Sequence, residues 1–158
     1  MTLEEWSQVA TIVGAPAALG ALVYAAIQLR ASARVAQGQF ILELKQMLEP
    51  HRAMHHKLRP GGEWSSKEGG APTSGEEWSD LEEYMGFFEH CEVLIEDGSL
   101  SLDDFRHMFS YRVDNIVANP KIVSAKLCGE ERTSWTLFLR LCERLNIAVR
   151  EDTVETQS

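Results

Sequence analysis

Residues 9–29 read VATIVGAPAALGALVYAAIQL, 21 positions without one Asp, Glu, Lys or Arg. At 1.5 Å of rise per residue, a helix of about 20 apolar residues spans a hydrocarbon core about 30 Å thick. The run therefore predicts a transmembrane helix. Upstream, Thr2 with Glu5 forms a T-x-x-E capping box, and Trp6 falls where an aromatic ring sits among headgroups. Pro16 predicts a kink in mid-span without excluding the helix. Two other readings compete. A cleaved signal peptide is suggested by Ala31-Ser32-Ala33, which imitates a cleavage site, but the acidic start (Glu4, Glu5) and the long apolar core argue against it. A buried helix of a soluble domain would suit a run so rich in Ala and Gly.

The flanks predict the orientation. Arg30 and Arg34 follow the run and no Lys or Arg precedes it, so basic retention puts the N-terminus outside and the remainder in the cytoplasm. The expected location is a single pass of the inner (cytoplasmic) membrane. Gly14 and Ala18, and the row Ala17, Ala21 and Ala25, lie at helical spacing. Small residues so placed let helix backbones approach closely, so this face is a candidate for homo-oligomer formation or for a membrane partner.

Beyond the run, charge divides the chain. Residues 1–29 carry −2, residues 30–59 carry +4 and residues 60–158 carry −11, for a total of −9. An acidic chain with one short basic zone is not a uniformly basic nucleic-acid binder, and no nucleic-acid partner is expected. The basic zone contains Arg30, Arg34, Arg52, Lys57 and Arg59, with His51, His55 and His56 nearby. Cations just inside a span are attracted to anionic lipid by about 1 kcal/mol each, so these arginines and the lysine form a candidate lipid-facing patch.

The rest of the chain carries helical periodicity and no strand alternation. Phe40, Ile41, Leu44, Met47 and Leu48 continue the first helix inward, with Gly38 as its weak point, and Pro50 suits the first turn of a helix carrying Met54 and Leu58. Residues 61–77, GGEWSSKEGGAPTSGEE, read as a mobile loop. Ser74 with Glu77 caps a long helix whose stripe is Trp78, Leu81, Tyr84, Met85, Phe88, Cys91, Leu94 and Ile95. Ser101 caps the next, with Leu102, Phe105, Met108, Phe109, Val113, Ile116 and Val117, until Asn119-Pro120 stops it. A short helix to Gly129 and a last one bearing Trp135, Phe138, Leu139, Cys142 and Leu145 follow. The predicted fold is all-α: a transmembrane helix (1–30), basic juxtamembrane helices (31–59), a flexible loop (60–76), an acidic helical bundle (77–146) and a disordered tail (147–158).

Chemistry is sparse. Residues 97–105, DGSLSLDDF, look like the second half of a calcium loop, but Val93 and Ile95 stand where the leading oxygen ligands belong. His51 and His55 are four apart without a third zinc ligand near them, and Asp104 with His107 is one D-x-x-H where a diiron bundle needs two matched motifs. Nucleophile motifs, phosphate-binding glycine loops and paired catalytic carboxylates are absent. Cys91, Cys128 and Cys142 read as reduced structural thiols on apolar helix faces. Glu82, Glu83, Glu89, Glu92 and Glu96 mostly fall off the apolar stripe and predict a solvated face or a docking surface.

The order of an apolar span, the segment ILELKQMLEPHRAMHHKL, a variable loop, DLEEYMGFFEHCEVLIEDGSLSLDDFRHMFSYRVDNIVANPKIV and a late tryptophan resembles a family of small bacterial single-span membrane proteins known as a domain of unknown function. The likeness covers roughly residues 8–145 and is most specific over 84–109. It implies a helical cytoplasmic domain and brings no activity, cofactor or catalytic residue.

The expected function is non-enzymatic. A single-pass protein would sit in the lipid bilayer and act through its helical domain on a protein partner, without metal or cofactor. The alternative is a membrane-surface regulatory or sensor module whose histidine-containing juxtamembrane helix answers to lipid charge or pH.

Overall fold

The computed structural model describes the backbone of residues 3–65 and 70–149, and the side chains of 21–65 and 70–149. Among these residues every regular element is a helix, and there is no strand. It divides into two compact units, Met1–Met47 and Leu48–Ser158.

The first unit is one helix, α1 (Leu3–Met47), of 45 residues. At 1.5 Å per residue it is about 67 Å long. It runs through Gly38 unbroken, because one glycine costs a helix interior only about 1 kcal/mol. Every residue from 21 to 39 is exposed. Among the described residues no helix is long and apolar enough to cross a membrane. Most of the predicted span, residues 9–20, lies outside the described side chains, as do the Thr2–Glu5 cap, Trp6, the Pro16 kink and Gly14, Ala17 and Ala18.

The second unit begins in a turn. His51 donates its N–H to the Leu48 carbonyl and Arg52 to that of Glu49, both at 3.1 Å, so Pro50 sits in the turn and not in a helix. Helix α2 (Arg52–Leu58) starts two residues later than predicted and buries Met54 and Leu58. Helix α3 (Gly75–Glu96) opens as expected, with Ser74 Oγ accepting the Glu77 N–H. The Glu77 carboxylate reaches back to the N–H of Thr73 at 2.8 Å. Gly98, at φ +80°, ends the helix, and the Leu100 N–H returns to the Leu94 carbonyl. The calcium-loop likeness is therefore a glycine-ended helix followed by a capped one. Helix α4 (Leu102–Val117) is capped by Ser101.

After Asn119 the expected single short helix breaks into three pieces. These are α5 (Pro120–Ile122), a π turn (Val123–Leu127) and a 3₁₀ stretch (Gly129–Trp135). Trp135 thus precedes the last helix, α6 (Thr136–Leu145), instead of lying on it. Asn146 closes α6 in the left-handed region at φ 59°; its N–H meets the Glu143 carbonyl and the Ile147 N–H that of Cys142. Such paired bonds satisfy two terminal carbonyls that a helix end otherwise leaves open.

Phe88 of α3 is the centre of the core. Its ring meets Tyr84 at 5.0 Å, Phe105 of α4 at 6.4 Å and Phe138 of α6 at 6.4 Å, all edge-on. Burying each such ring stabilises the fold by roughly 2–3 kcal/mol, and the edge-on geometry adds about 1 more per pair.

Candidate functional site

Arginines and histidines gather where α2 meets α4. At about 100° per residue, Arg52, His55, His56 and Arg59 fall within about 100° of arc on the side of α2 away from Met54. From α4, Tyr111 packs edge-on against His55, with ring centroids 5.6 Å apart. Arg112 Nε donates to the Tyr111 hydroxyl at 3.0 Å, and its Nη1 lies 3.5 Å from the hydroxyl of buried Tyr84. Arg52, His56, Arg59 and Tyr111 are exposed. His55 Nδ1 is buried without a hydrogen-bond partner. Burial first, then the positive charges of Arg112, His56 and Arg59, pull the His55 imidazole below its ordinary value of 6.5. Tyr111 and Arg112 were not legible as site residues, because only the docking of α2 brings them beside it. The available signal was a tyrosine on the polar side of α4.

The predicted basic patch is therefore redistributed. Lys57 leaves it: Nζ pairs with Glu77 Oε1 at 2.6 Å and stands 4.3 Å over the Trp64 ring. Arg52 and Arg59 stay on the exposed face, while Arg30 and Arg34 are exposed on α1. Of the small-residue row, Ala21 and Ala25 are exposed.

The glutamates of α3 are mostly solvated, as expected, with Glu82, Glu83 and Glu96 keeping exposed or half-exposed side chains, but most of them also fasten the fold, and Glu92 departs from the expectation. Glu82 holds Lys126 at 2.6 Å and Glu96 holds Arg140 at 2.9 Å. Glu89 Oε1 accepts the Phe138 N–H at 3.1 Å and so caps α6, whose own start has no side-chain cap. Glu92, expected outside, is 0% exposed. Arg144 Nε lies 2.8 Å from its Oε1, but off axis, so that neither carboxylate oxygen has a true hydrogen bond. Burial pushes the Glu92 carboxyl up against the pull of Arg144. Glu83 is exposed.

The predicted mobile loop is a loop with a pinned neck. Trp64 is 1% exposed, and the Gly70 N–H donates to the Glu63 carbonyl at 2.9 Å. Residues 66–69 lie outside the described ones.

Other chemistry is committed elsewhere. Among the described residues no three His, Cys, Asp or Glu side chains converge as a metal site. His51 packs on Tyr84 at 5.7 Å, as His55 does on Tyr111, so this pair serves aromatic contacts. Cys91 and Cys142 are buried and burial pushes both thiols up to about 12, while Cys128 lies at a helix junction; none forms a disulfide. A cleft of about 600 Å³ runs along α6. Its Thr133 and Thr136 hydroxyls already donate to main-chain carbonyls, and its Arg140 is paired.

Comparison with family models, with curated proteins and with solved structures finds no match.

Proposed function

We propose that the chain is a non-enzymatic, single-span membrane protein whose helical unit acts by binding. The observation that carries the reading is the state of α1 just before Arg30. Leu22, Val23, Tyr24, Ile27 and Leu29 are 60–77% exposed. At about 100° per residue they, Ala25 and Ala26 cover the circumference except where Gln28 lies, and its amide donates to the Tyr24 hydroxyl at 2.9 Å. A helix apolar over nearly its whole girth needs an apolar surrounding, and the uncharged residues 9–21 extend it to a bilayer's thickness. The binding reading draws support from the groups named above: carboxylates spent on ion pairs and a cap, and thiols held protonated. The alternative of a membrane-surface module is favoured by the cationic α2–α4 face.

Fractionation of the full chain in a bacterium tests the anchor. Retention in the pellet after carbonate extraction, with a C-terminal tag protected in intact spheroplasts, is expected. Release by carbonate would overturn the span, and digestion of the tag would overturn the orientation.

A further inference from the structure

We infer that Arg52, His55, His56 and Arg59 of α2, with Tyr111 and Arg112 of α4, form a surface that seats on the phosphates of an anionic lipid leaflet. The inference deepens the membrane-surface reading and rests on it.

Two independent observations carry it. The first is a contrast in pairing within an acidic chain. Lys57, Arg106, Lys126, Arg140 and Arg144 each have a carboxylate partner. Among the described residues, Arg52, Arg59 and Arg112 have none within ion-pair distance, although the chain holds 24 acidic residues. Like charges crowded without a counter-charge repel one another, and an external anion removes that repulsion.

The second is the shape of the chemistry. Guanidinium groups hydrogen-bond phosphate oxygens, and a tyrosine with a buried ring edge and a wet hydroxyl suits a headgroup layer. Tyr111 is 49% exposed, and its ring is braced by His55 and its hydroxyl by Arg112. The face is spread over two helices, so its arginines can meet several phosphates at once.

The test uses the three tyrosines of the chain, Tyr24, Tyr84 and Tyr111. The full chain, labelled with 3-fluorotyrosine, is placed in nanodiscs carrying a paramagnetic headgroup lipid and followed by fluorine NMR. Discs are phosphatidylcholine alone, or with one-third phosphatidylglycerol. Tyr111 is expected to broaden only in the anionic discs, and to recover at high salt and in R52Q/R59Q. A surface arginine is worth roughly a fivefold shift in partition, so that variant lowers the docked-to-undocked ratio about 25-fold. Buried Tyr84 reports that the variant is folded. Tyr24 reports the anchor separately. A sharp Tyr111 beside a broadened Tyr24 overturns the surface and leaves the anchor, whereas the reverse pattern overturns the anchor and supports the surface. Equal broadening in both disc types overturns the inference. So does an equal response of Tyr111 to inorganic phosphate in neutral discs, which would reassign the face to a free anion.

Discussion

Asn119 and Trp64 are joined across 55 residues: the side-chain amide of Asn119 donates to the Trp64 carbonyl at 2.9 Å. The same amide donates to the Gly70 carbonyl at 2.9 Å, while its oxygen accepts the N–H groups of Lys121 and Ile122. One fully buried side chain thus closes the neck of the loop and starts α5. All four of its hydrogen-bonding positions are used, and loss of either half strands buried main-chain groups at about 1–3 kcal/mol each.

Asn119→Ala is accordingly expected to lower stability by about 3 kcal/mol, read from urea unfolding of the full chain in mild detergent. Asn119→Asp keeps the volume and the cap but turns two donors into an acceptor facing two carbonyls, and should cost at least as much. A loss under about 1 kcal/mol for both would show that the neck is held by other contacts.

The buried Glu92–Arg144 pair makes a prediction with a pH signature. Arg144→Met leaves a carboxylate without its counter-charge in the core. The expected cost at neutral pH is about 2 kcal/mol, below the roughly 3–5 of a wholly buried pair because Arg144 is partly exposed. Glu92 already has a carboxyl raised above its ordinary 4.5, so the folded protein binds its proton at higher pH than the unfolded chain. Stability tied to this group is present at low pH and is lost as pH rises through the raised value. The Arg144→Met deficit should therefore shrink as pH falls toward 4.5, and E92M/R144M should recover most of it. A deficit independent of pH would mean that lost packing, not the stranded charge, sets the cost.

The helical class, the Ser74 and Ser101 caps and the core stripe through Phe88, Phe105 and Phe138 were legible because periodicity and capping are local rules. The fate of the glutamates was not. Glu82, Glu89 and Glu96 repeat every seven residues, which periodicity reads as a polar line; that each meets a group from residues 126–140 is set by how the helices dock. Glu92 shows the same limit, since the burial of a charge depends on an arginine 52 positions away. Trp64 sat among glycines and serines that correctly signalled a loop. Its burial comes with a main-chain carbonyl pinned by Asn119, a long-range partner that local composition cannot see. The Lys57 cation was legible and its partner was not, because Glu77 comes within reach only when α2 packs on α3.

Glu89 makes a third prediction. A helix N-terminus leaves N–H groups unsatisfied, and a carboxylate there also meets the positive end of the helix dipole. Glu89→Ala should cost about 1–2 kcal/mol, and Glu89→Gln, which keeps an acceptor but loses the charge, roughly half of that. Amide exchange at residues 137–139 is the sharper measurement, because a lost cap frays the first turn of α6. Unchanged exchange there would remove Glu89 from that role.

Acid denaturation tests the Lys57–Glu77 bridge. Lys57 and the Thr73 N–H hold the Glu77 carboxyl at about 2, below its ordinary 4.5. The unfolded chain takes up that proton first, so the stability tied to this group is present above about 4.5 and is lost as pH falls toward 2. Lys57→Met removes the larger cause of the depression. The variant should be less stable than the parent at neutral pH, yet its unfolding midpoint should fall less steeply between pH 4.5 and 2. Because Lys57 also lies over Trp64, Glu77→Gln separates the two contributions: it should flatten the same acid limb while leaving the Trp64 fluorescence environment unchanged. Parallel acid limbs in parent and both variants would show that the bridge contributes nothing to acid stability.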